Sequence, residues 1–199
     1  MSAFARDPDN HYVEPAWVSR RLFEVERFAG RIVDPCAGFG TMVASARLAG
    51  LQADGFDLRA RPNEHGIRGG FDFFADQSPY LPGIWPADNI VSNPPYGPAA
   101  EKGGLRLEEA FVARALDRAR SKVAVFLPAK WLSGDRRGAW LESLPLYRVW
   151  FCSPRPSCPP GHVVAAGEAK GGGTVDYAFY VFLKGFQGSP TVHFLRRGG

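Results

Sequence analysis

The tetrapeptide Asn93-Pro94-Pro95-Tyr96 combines residue types that can hold a planar amino group. Its two prolines fix two φ angles and remove two N–H donors, which leaves a rigid turn rich in acceptors. We expect the Asn93 side chain and a neighbouring backbone carbonyl to accept the two hydrogens of an sp2 amine, which would expose the nitrogen lone pair to an electrophilic methyl group. Tyr96 can stack on the planar group, a contact worth roughly 1–3 kcal/mol for a base. The alternative is a proline-rich turn in which Tyr96 only packs.

A glycine-containing loop, Asp34-Pro35-Cys36-Ala37-Gly38-Phe39-Gly40, is the second candidate site. It follows a short apolar run and precedes a helical pattern, and its glycines allow a tight turn and a close approach to a ligand. Asp34, at the predicted strand end, can contact a cationic amine. Val43 stands where the dinucleotide fingerprint has its third glycine, which argues against a nicotinamide site.

Two further acidic positions follow at predicted strand ends. Asp57 ends the next strand, where a carboxylate can accept hydrogen bonds from both hydroxyls of a ribose. Asp72 and Phe73 end the third strand, where an adenine ring could lie. The alternative is a set of ordinary surface loops, but three acidic strand ends in order favour a nucleoside-containing ligand.

The elements that must position these residues alternate between strands and helices. Periodicity predicts helices over Pro15–Phe28, Thr41–Leu48, Leu107–Ala119 and, more loosely, Trp131–Leu141. It predicts strands over Arg31–Asp34, Gln52–Asp57, Phe71–Phe74, Asp88–Ser92, Lys122–Leu127, Leu146–Cys152 and Val175–Leu183, with a further short edge strand over Thr191–Leu195. This alternation predicts an α/β fold with a mostly parallel sheet, whose binding sites lie at the carboxyl ends of the strands.

The length of 199 residues predicts one domain over residues 11–199 after a flexible tail over residues 1–10. The net charge of +4 is compatible with a nucleic-acid partner without requiring one. Three cysteines, no secretion signal and no apolar run of about 18 residues predict a cytoplasmic protein with no disulfide framework and no membrane partner.

Together, Asp34-Pro35-x-x-Gly38-x-Gly40 and Asn93-Pro94-Pro95-Tyr96 resemble the motifs of S-adenosylmethionine-dependent amino-methyltransferases, most closely the N6-adenine DNA methyltransferases. His11-Tyr12-Val13-Glu14-Pro15 looks like the N-terminal motif of that family, which usually has Thr where Glu14 stands. The resemblance covers roughly residues 11–184. It implies a Rossmann-like class I methyltransferase fold, with seven strands, helices on both faces of the sheet and an antiparallel last strand.

The resemblance also implies roles for individual residues. Asn93, Pro94, Pro95 and Tyr96 would hold the target amine, and the loop Arg155-Pro156-Ser157 would contact the substrate. Independently of the resemblance, Lys130 and Trp131 follow the predicted fifth strand and could line the substrate cleft. The residues implied for S-adenosylmethionine binding are Tyr12, Glu14, Pro15, Asp34, Pro35, Gly38, Gly40, Asp57, Asp72 and Phe73.

The expected reaction is methyl transfer to an exocyclic amine, with N6 of adenine in DNA as the first choice of acceptor. No segment suggests a separate target-recognition domain, so we expect low sequence specificity, a partner protein that supplies specificity, or a substrate other than duplex DNA. Cytosine N4, an RNA base and a protein glutamine amide offer the same chemistry. A cofactor-binding or nucleic-acid-binding module without turnover is the non-catalytic alternative.

Other residues carry weaker signals. Cys152, Cys158 and His162 do not have the spacing of a zinc finger, so no metal is expected. Cys36 lies in the glycine loop rather than after the fourth strand, which argues against its being the nucleophile of a cytosine C5 methyltransferase. The pairs Arg136-Arg137 and Arg196-Arg197 are expected on the solvated surface, with phosphate contact as the alternative, and Gly171-Gly172-Gly173 is expected to be a flexible loop.

Overall fold

The computed structural model describes residues 10–75, 85–97, 105–168 and 172–198. Of the predicted tail, only Asn10 lies within the described residues. Gly171, the first residue of the predicted flexible loop Gly171-Gly172-Gly173, lies outside them. In chain order the elements are α1 (Ala16–Val25), β1 (Ile32–Asp34), α2 (Thr41–Leu48), β2 (Ala53–Gly55), β3 (Ala87–Ser92), α3 (Leu107–Arg118), β4 (Ala119–Pro128), a 3-10 helix (Ala129–Ser133), α4 (Asp135–Glu142), β5 (Leu146–Ser153), α5 (Gly161–Ala165), β6 (Tyr177–Leu183) and β7 (Thr191–Arg196).

The strands form one seven-stranded sheet in the order β2-β1-β3-β4-β6-β5-β7. All neighbouring pairs are parallel except those of β6, which runs antiparallel to both β4 and β5. The prediction of a seven-stranded, mostly parallel sheet is confirmed. The predicted antiparallel strand is β6, but it is the penultimate strand, because β7 follows it and pairs in parallel with β5.

Helices cover both faces of the sheet, as predicted. Strand β4 lies in the middle and is buried on both sides: Val123 and Val125 face the layer of α3 and α4, whereas Ala124 and Phe126 face the layer of α1 and α2. This alternation follows from the two-residue period of side-chain direction in a strand. Because both faces are apolar, β4 reads in the sequence as a continuous hydrophobic run.

Helix α1 begins after Pro15 and is shorter than predicted. The chain leaves the helix at Glu26, whose backbone is extended, so the predicted continuation to Phe28 is wrong. The Glu26 side chain points into the protein and binds Lys122 and Arg148. These polar contacts end the helix here, although the apolar spacing predicts that it continues. On the other side of the helix, Ser19 Oγ lies 2.7 Å from Ser45 Oγ and joins α1 to α2.

The segment predicted as a third strand, Phe71–Phe74, is a loop and turn. Phe71 and Phe73 are nevertheless buried, since their rings pack against Trp85, and Phe73 also packs against Phe111 with 5.0 Å between ring centroids. Aromatic packing, rather than a backbone ladder, explains the apolar spacing here. The seventh strand is instead β7, which is fully paired with β5 and one residue longer than predicted. The described residues include no helix long and apolar enough to cross a membrane.

Candidate functional site

Two cavities open at the carboxyl ends of the parallel strands. The smaller has a volume of about 270 Å³ and is lined by residues that follow β1, β2 and β3. The larger has a volume of about 620 Å³ and lies beside it, where β4 ends. Asn10 and Tyr12 line both cavities, so the N-terminal segment forms the wall between them.

Asp34 ends β1 at the floor of the smaller cavity and is 2% exposed. Its Oδ1 accepts hydrogen bonds from Ser92 Oγ at 2.6 Å and from the Cys36 backbone N–H at 3.1 Å. The pKa of this carboxyl is raised to about 8, chiefly by burial and to a smaller extent by the nearby carboxyls of Glu14 and Asp57, although the hydrogen bonds from Ser92 and Cys36 lower it. A carboxyl kept protonated by burial is poised to ionise when a cation enters the cavity.

Asp57 follows β2 and also lines the smaller cavity. Its Oδ2 accepts a hydrogen bond from the Gly38 backbone N–H at 2.8 Å, and its Oδ1 accepts one from Arg59 N–H at 2.9 Å. The Arg61 Nε lies 3.6 Å from Oδ1. Asp57 therefore ties the glycine loop to the segment after β2.

Gly38 and Gly40 have different tasks in the glycine loop. Gly38 lines the smaller cavity with φ +53°, and a Cβ atom at this position would overlap the His11 imidazole. Gly40 lines neither cavity; its φ of +90° turns the chain into α2, and a Cβ there would lie 3.0 Å from His65 and Ile67. Both positions therefore require glycine, one for the cavity and one for the turn.

Residues 10–14 are held in place by the loop before α5. The Val13 N–H donates to the Pro159 carbonyl at 3.0 Å, and the Gly161 N–H donates to the His11 carbonyl at 2.8 Å. The His11 ring fits between Gly38 and Gly161, at both of which a Cβ would overlap it. This role of His11 could not be predicted from the sequence, because its two glycine neighbours are distant from it in the chain.

Asn93 follows β3 and lines the smaller cavity. Its Nδ2 donates two hydrogen bonds, to the Tyr12 carbonyl at 2.7 Å and to Glu14 Oε2 at 2.8 Å. Glu14 is 7% exposed, and burial raises the pKa of its carboxyl to about 7 even though the Asn93 hydrogen bond lowers it. Asn93 is thus fixed by the N-terminal segment.

Tyr96 lies on the other side of the same turn and lines the larger cavity. Its ring stacks on Tyr12 with 5.7 Å between centroids and 20° between planes. Its hydroxyl lies 2.9 Å from that of Tyr177 on β6, whose ring in turn stacks on Phe126. The Asn-Pro-Pro-Tyr turn therefore contributes Asn93 and Pro95 to one cavity and Tyr96 to the other.

The larger cavity combines aromatic walls with charged side chains. Lys130 and Trp131 reach it from the 3-10 helix after β4, and Pro156 and Ser157 reach it from the loop after β5. Arg155, next to them, lines neither cavity and pairs with Asp176 at 2.7 Å. Further side chains that line it include Arg106, Glu108, Arg137, Cys158 and Tyr177.

Some residues expected at the cofactor site lie elsewhere. Phe73 packs in the core, whereas its neighbour Phe74 lines the smaller cavity. Asp72 is exposed and accepts the Phe74 N–H at 2.8 Å. The loop that replaces the predicted third strand explains this shift, because it turns Phe73 inward. Of the other residues named from the sequence, Pro15, Pro35 and Pro94 line neither cavity.

The arginine pair after the 3-10 helix is not a solvated surface pair. Arg136 and Arg137 both bind Glu109 of α3, at 2.8 Å each, and Arg137 is mostly buried. Burial raises the pKa of Glu109, but hydrogen bonds from the Arg106 backbone N–H and from the side chains of Arg137 and Arg136 lower it below its ordinary value. The expectation of a solvated pair is therefore wrong for Arg137, because a buried carboxylate on α3 attracts it.

No metal centre or reactive thiol is present among the described residues. They contain no group of three or more His, Cys, Asp or Glu side chains that could hold a metal ion. Cys36 lines the smaller cavity, but burial raises the pKa of its thiol well above the ordinary value. A protonated thiol is a poor nucleophile.

Comparisons with known proteins give a fold. No protein-family profile matches the chain. No curated protein matches it either. A candidate class I S-adenosylmethionine-dependent methyltransferase from Listeria monocytogenes is similar in structure, with a TM-score of 0.61 and 11% identity over 93% of this chain and 66% of that one.

Two further solved structures are similar. The modification subunit of a candidate type I restriction enzyme from Vibrio vulnificus YJ016 matches with a TM-score of 0.58 and 16% identity, over 92% of this chain and 46% of that one. A candidate RNA methyltransferase from Pyrococcus horikoshii matches with a TM-score of 0.53 and 14% identity, over 85% of this chain and 83% of that one. The chain spans less than two thirds of the first two proteins. With the topology described above, these likenesses show that the chain has the Rossmann-like α/β fold of class I methyltransferases.

Proposed function

We propose that this chain transfers a methyl group from S-adenosylmethionine to an exocyclic amino nitrogen, and that its acceptor is N6 of adenine in DNA. The observation that carries the proposal is the position of the Asn-Pro-Pro-Tyr turn between two cavities. Asn93 faces the smaller cavity and Tyr96 the larger one. A turn whose residues line both cavities can bring a molecule bound in one cavity close to a molecule bound in the other.

The smaller cavity fits the cofactor in its chemistry. Glu14, Asp34 and Asp57 bring three carboxyl groups to its wall, and the raised pKa values of Glu14 and Asp34 mark a site that a cation would stabilise. Of these, we assign Asp34 to the positively charged methionine part and Asp57 to the ribose. We assign the adenine to Phe74, whose ring lines this cavity. Gly38 leaves the room that a Cβ atom would take.

When bound, S-adenosylmethionine would supply an electrophilic methyl group. The chain's own residues hold the acceptor. Asn93 Oδ1 and a backbone carbonyl of the turn accept the two hydrogens of the amine, and Tyr96 stacks on its ring. Such fixed acceptors act by position and electrostatics, so no general base is needed before the nitrogen attacks.

The walls of the larger cavity support a nucleobase as the acceptor. The rings of Tyr12, Tyr96, Trp131 and Tyr177 line it, and stacking on aromatic side chains is the usual means of holding an unpaired base. Lys130 lines the same cavity and offers positive charge to phosphates, whereas Arg106 and Arg137 there are paired with Glu108 and Glu109. A glutamine side chain would use neither feature. The resemblance of the motifs, together with the likeness to a restriction-enzyme modification subunit, favours DNA and a specificity partner.

The test is a parallel assay with labelled S-adenosylmethionine and three acceptors: unmethylated genomic DNA, total RNA and soluble protein. Nucleoside mass spectrometry should find N6-methyladenine in the DNA. Asn93→Ala should bind the cofactor as the wild type does and transfer no methyl group. N4-methylcytosine, or label only in RNA or protein, would contradict the proposed acceptor, and no label in any lane would contradict the activity.

A further inference from the structure

We propose that Glu14 is a positioning residue, which holds the Asn93 carboxamide in the one orientation that points its oxygen toward the acceptor amine. This inference rests on the proposed function and assigns to this side chain a role beyond contact with the cofactor.

Both hydrogens of the Asn93 amide are used within the protein. One goes to the Tyr12 carbonyl at 2.7 Å and the other to Glu14 Oε2 at 2.8 Å. A backbone carbonyl cannot donate, so Nδ2 must lie on this side and Oδ1 on the other. Within the described part of the chain, Oδ1 receives no hydrogen bond, which leaves it available to an amine hydrogen.

The two acceptors that hold Asn93 come from one braced segment. Backbone hydrogen bonds of His11 and Val13 to the loop before α5 fix the Tyr12 carbonyl, and Glu14 stands directly before Pro15 and α1. With Tyr12 alone, the carboxamide could swing about a single hydrogen bond. Glu14 accepts the second hydrogen bond and so fixes the plane of the carboxamide.

The ionised form of Glu14 is the better acceptor for Asn93 Nδ2, because a charged acceptor makes the stronger hydrogen bond. The titratable groups that face Glu14 are Asp34 on β1 and Cys158 in the loop after β5, and Asp57 lies beyond Asp34. Burial raises the pKa of Glu14 to about 7, so the pairing strengthens as the pH rises through neutrality. Asp34 titrates near 8, and a Glu14 variant is needed to separate the two groups.

A first experiment follows the Asn93 side-chain amide by 15N NMR in the cofactor-free full chain. Its two hydrogens are assigned by their loss in Asn93→Asp. In the wild type they should shift with a midpoint near pH 7, and in Glu14→Gln, which keeps an acceptor but cannot ionise, the shift should vanish. Asn89 is the internal control: it lies at the other end of β3, and its Nδ2 donates to the Ala29 carbonyl, so its signals should not change. An Asn93 shift that persists in Glu14→Gln would overturn the inference.

A second experiment separates positioning from cofactor contact. Glu14→Ala should lower kcat by about 10- to 100-fold, the usual effect of losing such a supporting partner, and leave the Kd for S-adenosylmethionine within about threefold. Glu14→Gln should restore most of kcat, because its amide oxygen can still accept from Nδ2. A loss of cofactor affinity of about 10-fold or more with unchanged kcat would overturn the inference and make Glu14 a cofactor ligand. If the wild type transfers no methyl group, the proposed function fails, while the NMR result still decides the Glu14–Asn93 pairing.

Discussion

At the scale of single residues, Gly38 and His11 occupy adjoining space at the cofactor side of the site. An alanine at position 38 would have to adopt φ +53°, and its methyl group would overlap the His11 ring. We expect Gly38→Ala to displace residues 10–14 and so weaken S-adenosylmethionine binding by at least about 10-fold, or about 1.4 kcal/mol. Calorimetric titration with the cofactor measures this change.

Gly50→Ala is the matched control. Gly50 has φ +79° at the end of α2, and a Cβ there would meet nothing within 4 Å. Both variants incur the cost of a left-handed backbone, about 1–2 kcal/mol, but only Gly38→Ala adds the overlap. An equal loss of cofactor affinity in the two variants would show that the His11 contact is irrelevant to binding.

Sequence reasoning at this scale selected positions by their place after strands. That rule indicated Asp34, Asp57, Asn93 and Tyr96, which the structure brings to the two cavities. It could not indicate His11, because this ring is placed by contacts with Gly38 and Gly161. Nor could it choose between Phe73 and Phe74, since a one-residue difference decides which ring faces the core.

At the scale of elements, Glu26 joins three parts of the fold. It is fully buried just after α1 and binds Lys122 of β4, and Arg148 and Trp150 of β5. We expect Glu26→Ala to lower the free energy of unfolding by about 3 kcal/mol, because removing one partner leaves buried charge uncompensated. Urea unfolding of the cofactor-free protein measures the change.

Glu24, two residues earlier on α1, provides the comparison. It is exposed and pairs with Arg21 on the same helix. Exposed pairs of this kind contribute little, so Glu24→Ala should change the free energy of unfolding by less than about 1 kcal/mol. If the two substitutions cost the same, Glu26 does not link α1 to the sheet.

The elements best predicted from sequence are those with a regular apolar period. The predicted bounds of α2 match the structure to the residue, and the strand predicted over Lys122–Leu127 lies within β4. The strand predicted over Phe71–Phe74 is wrong, because alternate aromatic residues also occur where rings pack without the backbone hydrogen bonds of a sheet. The short helix α5 gave no signal, since five residues are too few for a helical period to appear.

At the scale of the whole molecule, buried acids make stability depend on pH. The pKa of Asp34 is raised from 3.8 to about 8 and that of Glu14 from 4.5 to about 7. Between the lower and the upper value, the folded state keeps a proton that the unfolded chain releases, so stability falls as the pH rises. We expect the Tm of the cofactor-free protein to fall from about pH 5.5 to about pH 8.5, with each group contributing at most about 1.4 kcal/mol per pH unit.

Asp34→Asn should flatten this dependence. The asparagine can keep the hydrogen bonds from Ser92 and Cys36 through its oxygen, but it has no proton to lose. Glu109, whose pKa is lowered, acts only at more acidic pH and does not enter this range. If Tm falls with pH as steeply in Asp34→Asn as in the wild type, the pKa of this carboxyl does not change on folding. In the wild type, S-adenosylmethionine should raise Tm more at the alkaline end, because its positive charge stabilises the ionised acids.

At the carboxyl ends of the strands, the smaller and the larger cavity adjoin, and residues 10–14 lie between them. Their linings have only Asn10 and Tyr12 in common. Under the proposed function, a strand of nucleic acid seated against Tyr96 and Trp131 would therefore not have to leave when spent cofactor is replaced on the other side of residues 10–14. With the proposed activity, we expect the chain to act processively, modifying several bases of one strand in a single encounter, and to bind its two ligands in either order.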